Sequence, residues 1–128
     1  MKIGDIAAAL ERLLPKALAQ SWDNVGLLVG DPRAEARRVL VTIDTTAAVA
    51  AEARRLRTDL IVAYHPVIWD GLKRVTATGP TAVVYDLIRS GIAVYSIHTS
   101  LDAIAGGVND ALAECIGLVD AEPIGDFV

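Results

Sequence analysis

Apolar residues recur along this chain with two alternating periods. Ile6, Leu10, Leu13 and Leu14 follow the spacing of one helix face, so residues 3–14 are predicted to form an amphipathic helix that Pro15 ends. Val25–Val29 then reads as a short strand closed by Gly30-Asp31-Pro32, and Val39–Ile43 as a second. The second is apolar at successive positions, the pattern of a strand covered on both faces. Asp44-Thr45-Thr46 supplies an N-cap for a helix presenting Val49, Ala53 and Leu56. Leu60–Ala63 is a third strand. Val84, Leu87 and Ile88 mark a helix stopped at Gly91, and Ile92–Ile97 is a fourth strand. Val108, Leu112, Cys115 and Ile116 mark a last helix with Gly117 as its C-cap, which would put Cys115 in the core. Strands alternating with helices predict an α/β fold: a mainly parallel sheet, or a mixed one, flanked by helices. At 128 residues the chain reads as a single α/β domain, with residues 120–128 a connection to a further segment.

Composition adds three constraints. Hydrophobic residues make up 53% of the chain, and the excess predicts an additional buried surface, most simply a subunit interface and hence a homo-oligomer; an exposed apolar patch would read the same. A net charge of −4 argues against nucleic acid as a partner; Arg33, Arg37 and Arg38 and Arg54, Arg55 and Arg57 are interspersed with acids, as on a solvated helix face. The single cysteine has no internal disulfide partner and no targeting segment is visible, which together predict a cytoplasmic protein. No apolar run approaches the roughly 20 residues of a membrane span.

The candidate chemistry lies at strand ends. Both histidines close predicted strands, His65 in Tyr64-His65-Pro66 and His98 in His98-Thr99-Ser100-Leu101-Asp102. Ligand sites of open parallel sheets lie at the carboxyl ends of strands, and imidazole with carboxylate is a donor set for a divalent transition metal. Pro66 stops the third strand at His65; the competing reading is a histidine capping a loop carbonyl. Asp102 follows His98 by four residues and can converge with it if the segment turns; the competing reading is that Ser100 or Asp102 caps a helical turn. Trp22-Asp23-Asn24 could wall a pocket, but a turn with Trp22 in the core is the simpler reading. Asp44 is explained by capping, and Lys73-Arg74 would suit an anion. No phosphate-binding glycine loop or serine elbow is present.

Trp22-Asp23-Asn24-Val25-Gly26-Leu27, Tyr64-His65-Pro66 with Lys73-Arg74, and His98-Thr99-Ser100-Leu101-Asp102 with Gly106-Gly107-Val108-Asn109 occur in the order and spacing of the Nif-three-like family. Many of its members carry the name GTP cyclohydrolase I type two homologue. The resemblance implies two divalent metals held by a histidine pair before the proline, the aspartate of the later motif, and a histidine and a glutamate from a further segment. It also implies a toroidal hexamer. Carried over to this chain, His65 and Asp102 are direct metal ligands and Tyr64 a further one. His98 is the catalytic neighbour that orients water or shuttles a proton. The ion would be Zn, Mn, Mg or Fe, weakly held, and the substrate a nucleotide-like small molecule. Two features depart from the pattern. Tyr64 stands where most bacterial members have histidine, and this sequence spans about the first half of the family's length, without the later histidine and glutamate. The competing class is a non-catalytic, self-assembling metal-binding or protein-interaction module.

Overall fold

The computed structural model describes residues 1–122. Its helices are α1 (Ile3–Leu13), α2 (Ala47–Leu56), α3 (Ala82–Arg89), α4 (His98–Asp102) and α5 (Val108–Cys115). Its strands are β1 (Gly26–Val29), β2 (Val39–Thr42), β3 (Leu60–Ala63) and β4 (Ala93–Ser96). They form one sheet in the order β1-β4-β3-β2. β2, β3 and β4 run parallel, with Val41 beside Val62 and Val62 beside Tyr95. β1 runs antiparallel to β4, with Gly26 beside Ser96. The sheet is therefore mixed.

The two central strands are apolar except for Ser96 at the end of β4, and every residue of each is buried. On one face Ile61, Ala63 and Val94 pack against Ala50 and Ala53 of α2 and Val84 and Leu87 of α3. On the other, Leu60, Val62, Ala93 and Tyr95 pack against Ile3 and Ala7 of α1. Small residues at Ala50 and Ala53 let α2 lie close to the sheet. Leu56, expected on that inward face, is 37% exposed.

Three further expectations are corrected. β2 is not covered on both faces: it is an edge strand, and Val39 and Val41, on the same face as Leu60 and Val62, lie beyond α1 and are exposed, as is Ile43 after them. The run of apolar residues cannot distinguish a covered strand from an edge strand awaiting a cover. Cys115 is exposed rather than in the core, as are Leu112 and Ile116, so the apolar side of α5 is bare. Trp22 is also exposed. Of the predicted terminal connection, residues 123–128 lie outside the described residues. Among the described residues no helix is long and apolar enough to cross a membrane.

The N-cap of α2 is Thr46, whose side chain accepts a hydrogen bond from the Val49 N–H at 3.2 Å. Thr46→Ala should lower stability by about 1 kcal/mol in urea unfolding, since it removes the acceptor for a free helix N–H. An unchanged midpoint would mean that water serves that N–H equally well.

Candidate functional site

The carboxyl ends of β3 and β4 release Tyr64-His65 and Ile97-His98 side by side. The Ile97 N–H donates to the Ala63 carbonyl and the His98 N–H to the Tyr64 carbonyl, so the two segments stay paired beyond the regular strands. This brings the imidazole rings of His65 and His98 to a centroid separation of 5.4 Å, edge to face. His98 is the first residue of α4, one step past the strand end.

Each histidine is held at Nδ1 by a carboxylate. His65 Nδ1 lies 2.8 Å from Asp44 Oδ1, and His98 Nδ1 lies 3.0 Å from Asp23 Oδ1. A carboxylate can only accept, so each Nδ1 carries the proton, and in the neutral ring Nε2 presents its lone pair. This is the outer-shell arrangement that fixes the tautomer of metal-bound or proton-shuttling histidines.

Asp44 reaches His65 because it follows β2, the neighbour of β3. Capping is not its role, since Thr46 performs it. Asp23 was read as part of a turn, and its place in the site follows from the strand direction. β1 is antiparallel, so the residues before it lie at the carboxyl edge of its parallel neighbours. Asp23 is the most enclosed charge here: its side chain is 0% exposed, against 11% for His98. Besides His98, it accepts hydrogen bonds from the backbone N–H groups of Asn24 (2.7 Å) and Thr99 (3.1 Å) and from the Thr99 hydroxyl. Burial pushes its carboxyl pKa up, but the Thr99 and His98 hydrogen bonds outweigh this and hold it below the ordinary value. The strings Trp22-Asp23-Asn24 and Asp44-Thr45-Thr46 carried no signal for these partners beyond the presence of a carboxylate.

Tyr64 Oη donates to Asp102 Oδ1 at 2.7 Å. Burial first, and then the bond to Asp102, push the phenol pKa up to about 12, so Tyr64 stays protonated and fixes one oxygen of Asp102. The Asp102 main chain is itself held, its carbonyl accepting from Asn109 Nδ2 at 3.0 Å. Asp102 lies in α4 and joins the histidines through Tyr64, whose ring centroid is 4.9 Å from that of His65 and 5.2 Å from that of His98. Two exposed tryptophans flank the cluster: Trp69 and Trp22 lie with ring centroids 5.2 Å and 6.1 Å from His98. A depression beside His65 is lined by Asp44, Thr45, Trp69, Pro80 and Val83. Lys73 and Arg74 are exposed on the loop between β3 and α3.

The donor chemistry suits a divalent ion, but the number of donors is short. Among the described residues no three histidine, cysteine, aspartate or glutamate side chains are grouped closely enough to hold a metal ion by themselves. Tight sites generally use three or four protein ligands.

Fold and cluster together define a class: an α/β protein with a histidine–carboxylate cluster at the carboxyl edge of a mixed sheet. The chain belongs to the Duf34/NIF3 (NGG1p interacting factor 3) family, whose model matches residues 1–127. It is 42% identical over 127 residues to the GTP cyclohydrolase 1 type 2 homolog of Lactococcus lactis, covering 98% of this chain and 49% of that protein. Among solved structures, it resembles a Staphylococcus aureus hypothetical protein with a TM-score of 0.88 and 38% identity, over 94% of this chain and 34% of the other. It resembles reduced HcgD of Methanocaldococcus jannaschii with a TM-score of 0.88 and 34% identity, over 98% of this chain and 51% of the other. The chain thus spans a third to a half of the length of these relatives.

Proposed function

We propose that this chain contributes part of a divalent-metal site for a hydrolytic reaction on a nucleotide-like small molecule. The single observation that supports this most is the pair of histidines, each fixed at Nδ1 by a carboxylate and each with Nε2 left for a ligand or a proton. His65 Nε2 and the Asp102 oxygen not held by Tyr64 would be the direct ligands. When bound, a divalent ion lowers the pKa of its water to near ~7 and so supplies a nucleophile at neutral pH. His98, oriented by Asp23, would take the proton from that water and return it to the leaving group. Tyr64 would orient Asp102; ligation through its own oxygen requires loss of a proton held with a pKa of about 12. Lys73 and Arg74 would neutralise a substrate phosphate. The family resemblance implies a further histidine and glutamate, which another polypeptide segment would supply.

Calorimetric titration with Zn²⁺ and Mn²⁺ tests the site. The chain by itself should bind with no better than micromolar affinity and turn over GTP slowly or not at all. His65→Ala should reduce affinity at least tenfold, roughly 1.4 kcal/mol, with secondary structure unchanged. Submicromolar binding that is indifferent to Tyr64→Phe would show that this segment builds a complete site of its own.

The second reading, a self-assembling module without catalysis, is favoured by the bare apolar sides of β2 and α5. Both readings expect a homo-oligomer, and light scattering at micromolar concentration is the check.

A further inference from the structure

We propose that the depression beside His65 seats the heterocyclic ring of the substrate, stacked on Trp69, with an N–H edge of the ring bonded to Asp44. This rests on the reading of a nucleotide-like substrate and adds the seat of the ring, a specificity residue and the ring chemistry that fits.

Trp69 is an open aromatic surface on a fixed support. The two residues before it, Val67 and Ile68, pack against the core under α2 and α3. The Ile68 carbonyl accepts from Asn24 Nδ2 at 2.7 Å, which ties this loop to the segment before β1. Trp69 itself stays 50% exposed. A large apolar ring on an anchored loop gives up little freedom when a ligand lies on it, so most of the stacking energy remains for binding. The anchor also gives Asn24 a role that the string Trp22-Asp23-Asn24 did not reveal.

The depression has a volume of about 340 Å³. This is near the lower end of the range for small-molecule sites, roughly 300–1,000 Å³, and suits one ring system rather than a whole nucleotide. Trp69, Pro66, Pro80 and Val83 form apolar walls, and Asp44, Thr45 and His65 gather the polar groups. Apolar walls with polar groups set among them suit a flat nitrogen heterocycle. Stacking by itself accepts any such ring, because every base has a π-face. The polar groups select. Asp44 gives Oδ1 to His65 Nδ1; among the described residues its Oδ2 has no partner, and the side chain is 60% exposed. A carboxylate oxygen can only accept, so the ring edge that meets it must carry an N–H. The same charge repels a phosphate from the depression, which leaves the phosphate to Lys73 and Arg74. The Thr45 hydroxyl is shut off from solvent without a hydrogen-bond partner. Rotation about χ1, which exchanges it with the methyl group, would offer it to the same edge. A ring seated here lies beside the reacting groups: His65 is part of the wall, and the Trp69 ring centroid is 5.2 Å from that of His98.

The test uses the full chain, kept free of metal with a chelator, and GMP as the probe, since its ring carries adjacent N–H donors. Ribose 5-phosphate has the same sugar and phosphate without the ring. In the Trp22→Phe variant Trp69 is the sole tryptophan. GMP should quench its emission saturably at millimolar concentration or below, and ribose 5-phosphate should leave it unchanged. By calorimetry Trp69→Ala should bind GMP at least about fivefold more weakly, while Trp69→Phe keeps most of the affinity and Trp22→Phe all of it. Purine riboside 5′-monophosphate, the same bicyclic ring without an N–H, should bind at least roughly threefold more weakly than GMP. The absence of a saturable change at Trp69, a change that ribose 5-phosphate reproduces, or full affinity in Trp69→Ala would each overturn the seat on Trp69. Equal binding of purine riboside 5′-monophosphate and GMP would overturn the bond to Asp44. Zn²⁺ titration without nucleotide should give Trp69→Ala the wild-type affinity, so loss of the ring site and loss of the metal site are separate results.

Discussion

Asp23→Ala is expected to be the most damaging substitution at the cluster, costing about 3–5 kcal/mol of stability. The carboxylate is fully enclosed and accepts from four groups: His98 Nδ1, the N–H groups of Asn24 and Thr99, and the Thr99 hydroxyl. Removing a buried charged acceptor leaves its donors unsatisfied at about 1–3 kcal/mol each, reduced where water can enter the space. Thr99 Oγ1 also accepts from the Gln20 N–H at 3.0 Å, so the loss extends to the segment before β1. Chemical denaturation measures the effect. The pH dependence gives a second readout with a definite sign. The Asp23 carboxyl is held below its ordinary pKa, so the unfolded chain takes up its proton first as the pH falls. Its contribution is complete above the unfolded value of about 3.9 and disappears as the pH falls through the lower folded value. The wild type should therefore lose stability in that acid window, and Asp23→Ala should show a flatter acid limb. A variant with the wild-type midpoint at neutral pH would mean that the four donors find water, and that Asp23 does not anchor His98.

Gly107→Ala is expected to be nearly as costly, at about 3 kcal/mol, for a steric reason. A Cβ on Gly107 would overlap the Leu101 carbonyl oxygen and lie 2.8 Å from that of Ile104, both main-chain atoms of the segment carrying Asp102. Backbone cannot rotate aside as a side chain can, so the turn between α4 and α5 must open; overpacking of this kind costs typically 1–3 kcal/mol, occasionally more. For a chain of this size the melting temperature should fall by roughly 10 °C. Opening the turn also separates Asn109 from the Asp102 carbonyl, so metal affinity should fall along with stability. Gly106→Ala is the control. No atom lies within 4 Å of a Cβ placed there, so its cost comes from its φ of +74° alone and should be the smaller of the two. Equal losses for the two glycines would show that backbone conformation, and not the close approach, governs the turn.

The sequence by itself determined the central strands and the helices that cover them. Leu60–Ala63 is an unbroken apolar run and Ile92–Ile97 is interrupted only by Ser96; both are bounded by polar turns, the pattern of strands covered on both faces. The same logic placed His65 and His98 at one edge of the sheet, because the polar residues that end adjacent parallel strands emerge side by side. Three ordered motifs also carried the family assignment. Neither the direction of β1 nor the position of β2 at the sheet's edge was legible, since strand periodicity is the same for parallel and antiparallel partners and for central and edge positions. Those two facts decided the rest. The reversal of β1 carried Asp23 from a turn to the Nδ1 of His98, across 75 positions of sequence. The placement of β2 beside β3 carried Asp44 from an apparent cap to the Nδ1 of His65. A hydrogen bond between residues distant in sequence leaves no local periodicity, so only the tertiary structure could match each histidine to its carboxylate. The same is true of burial: Leu112 and Cys115 have helical spacing whether or not anything covers them, and the fold leaves them bare.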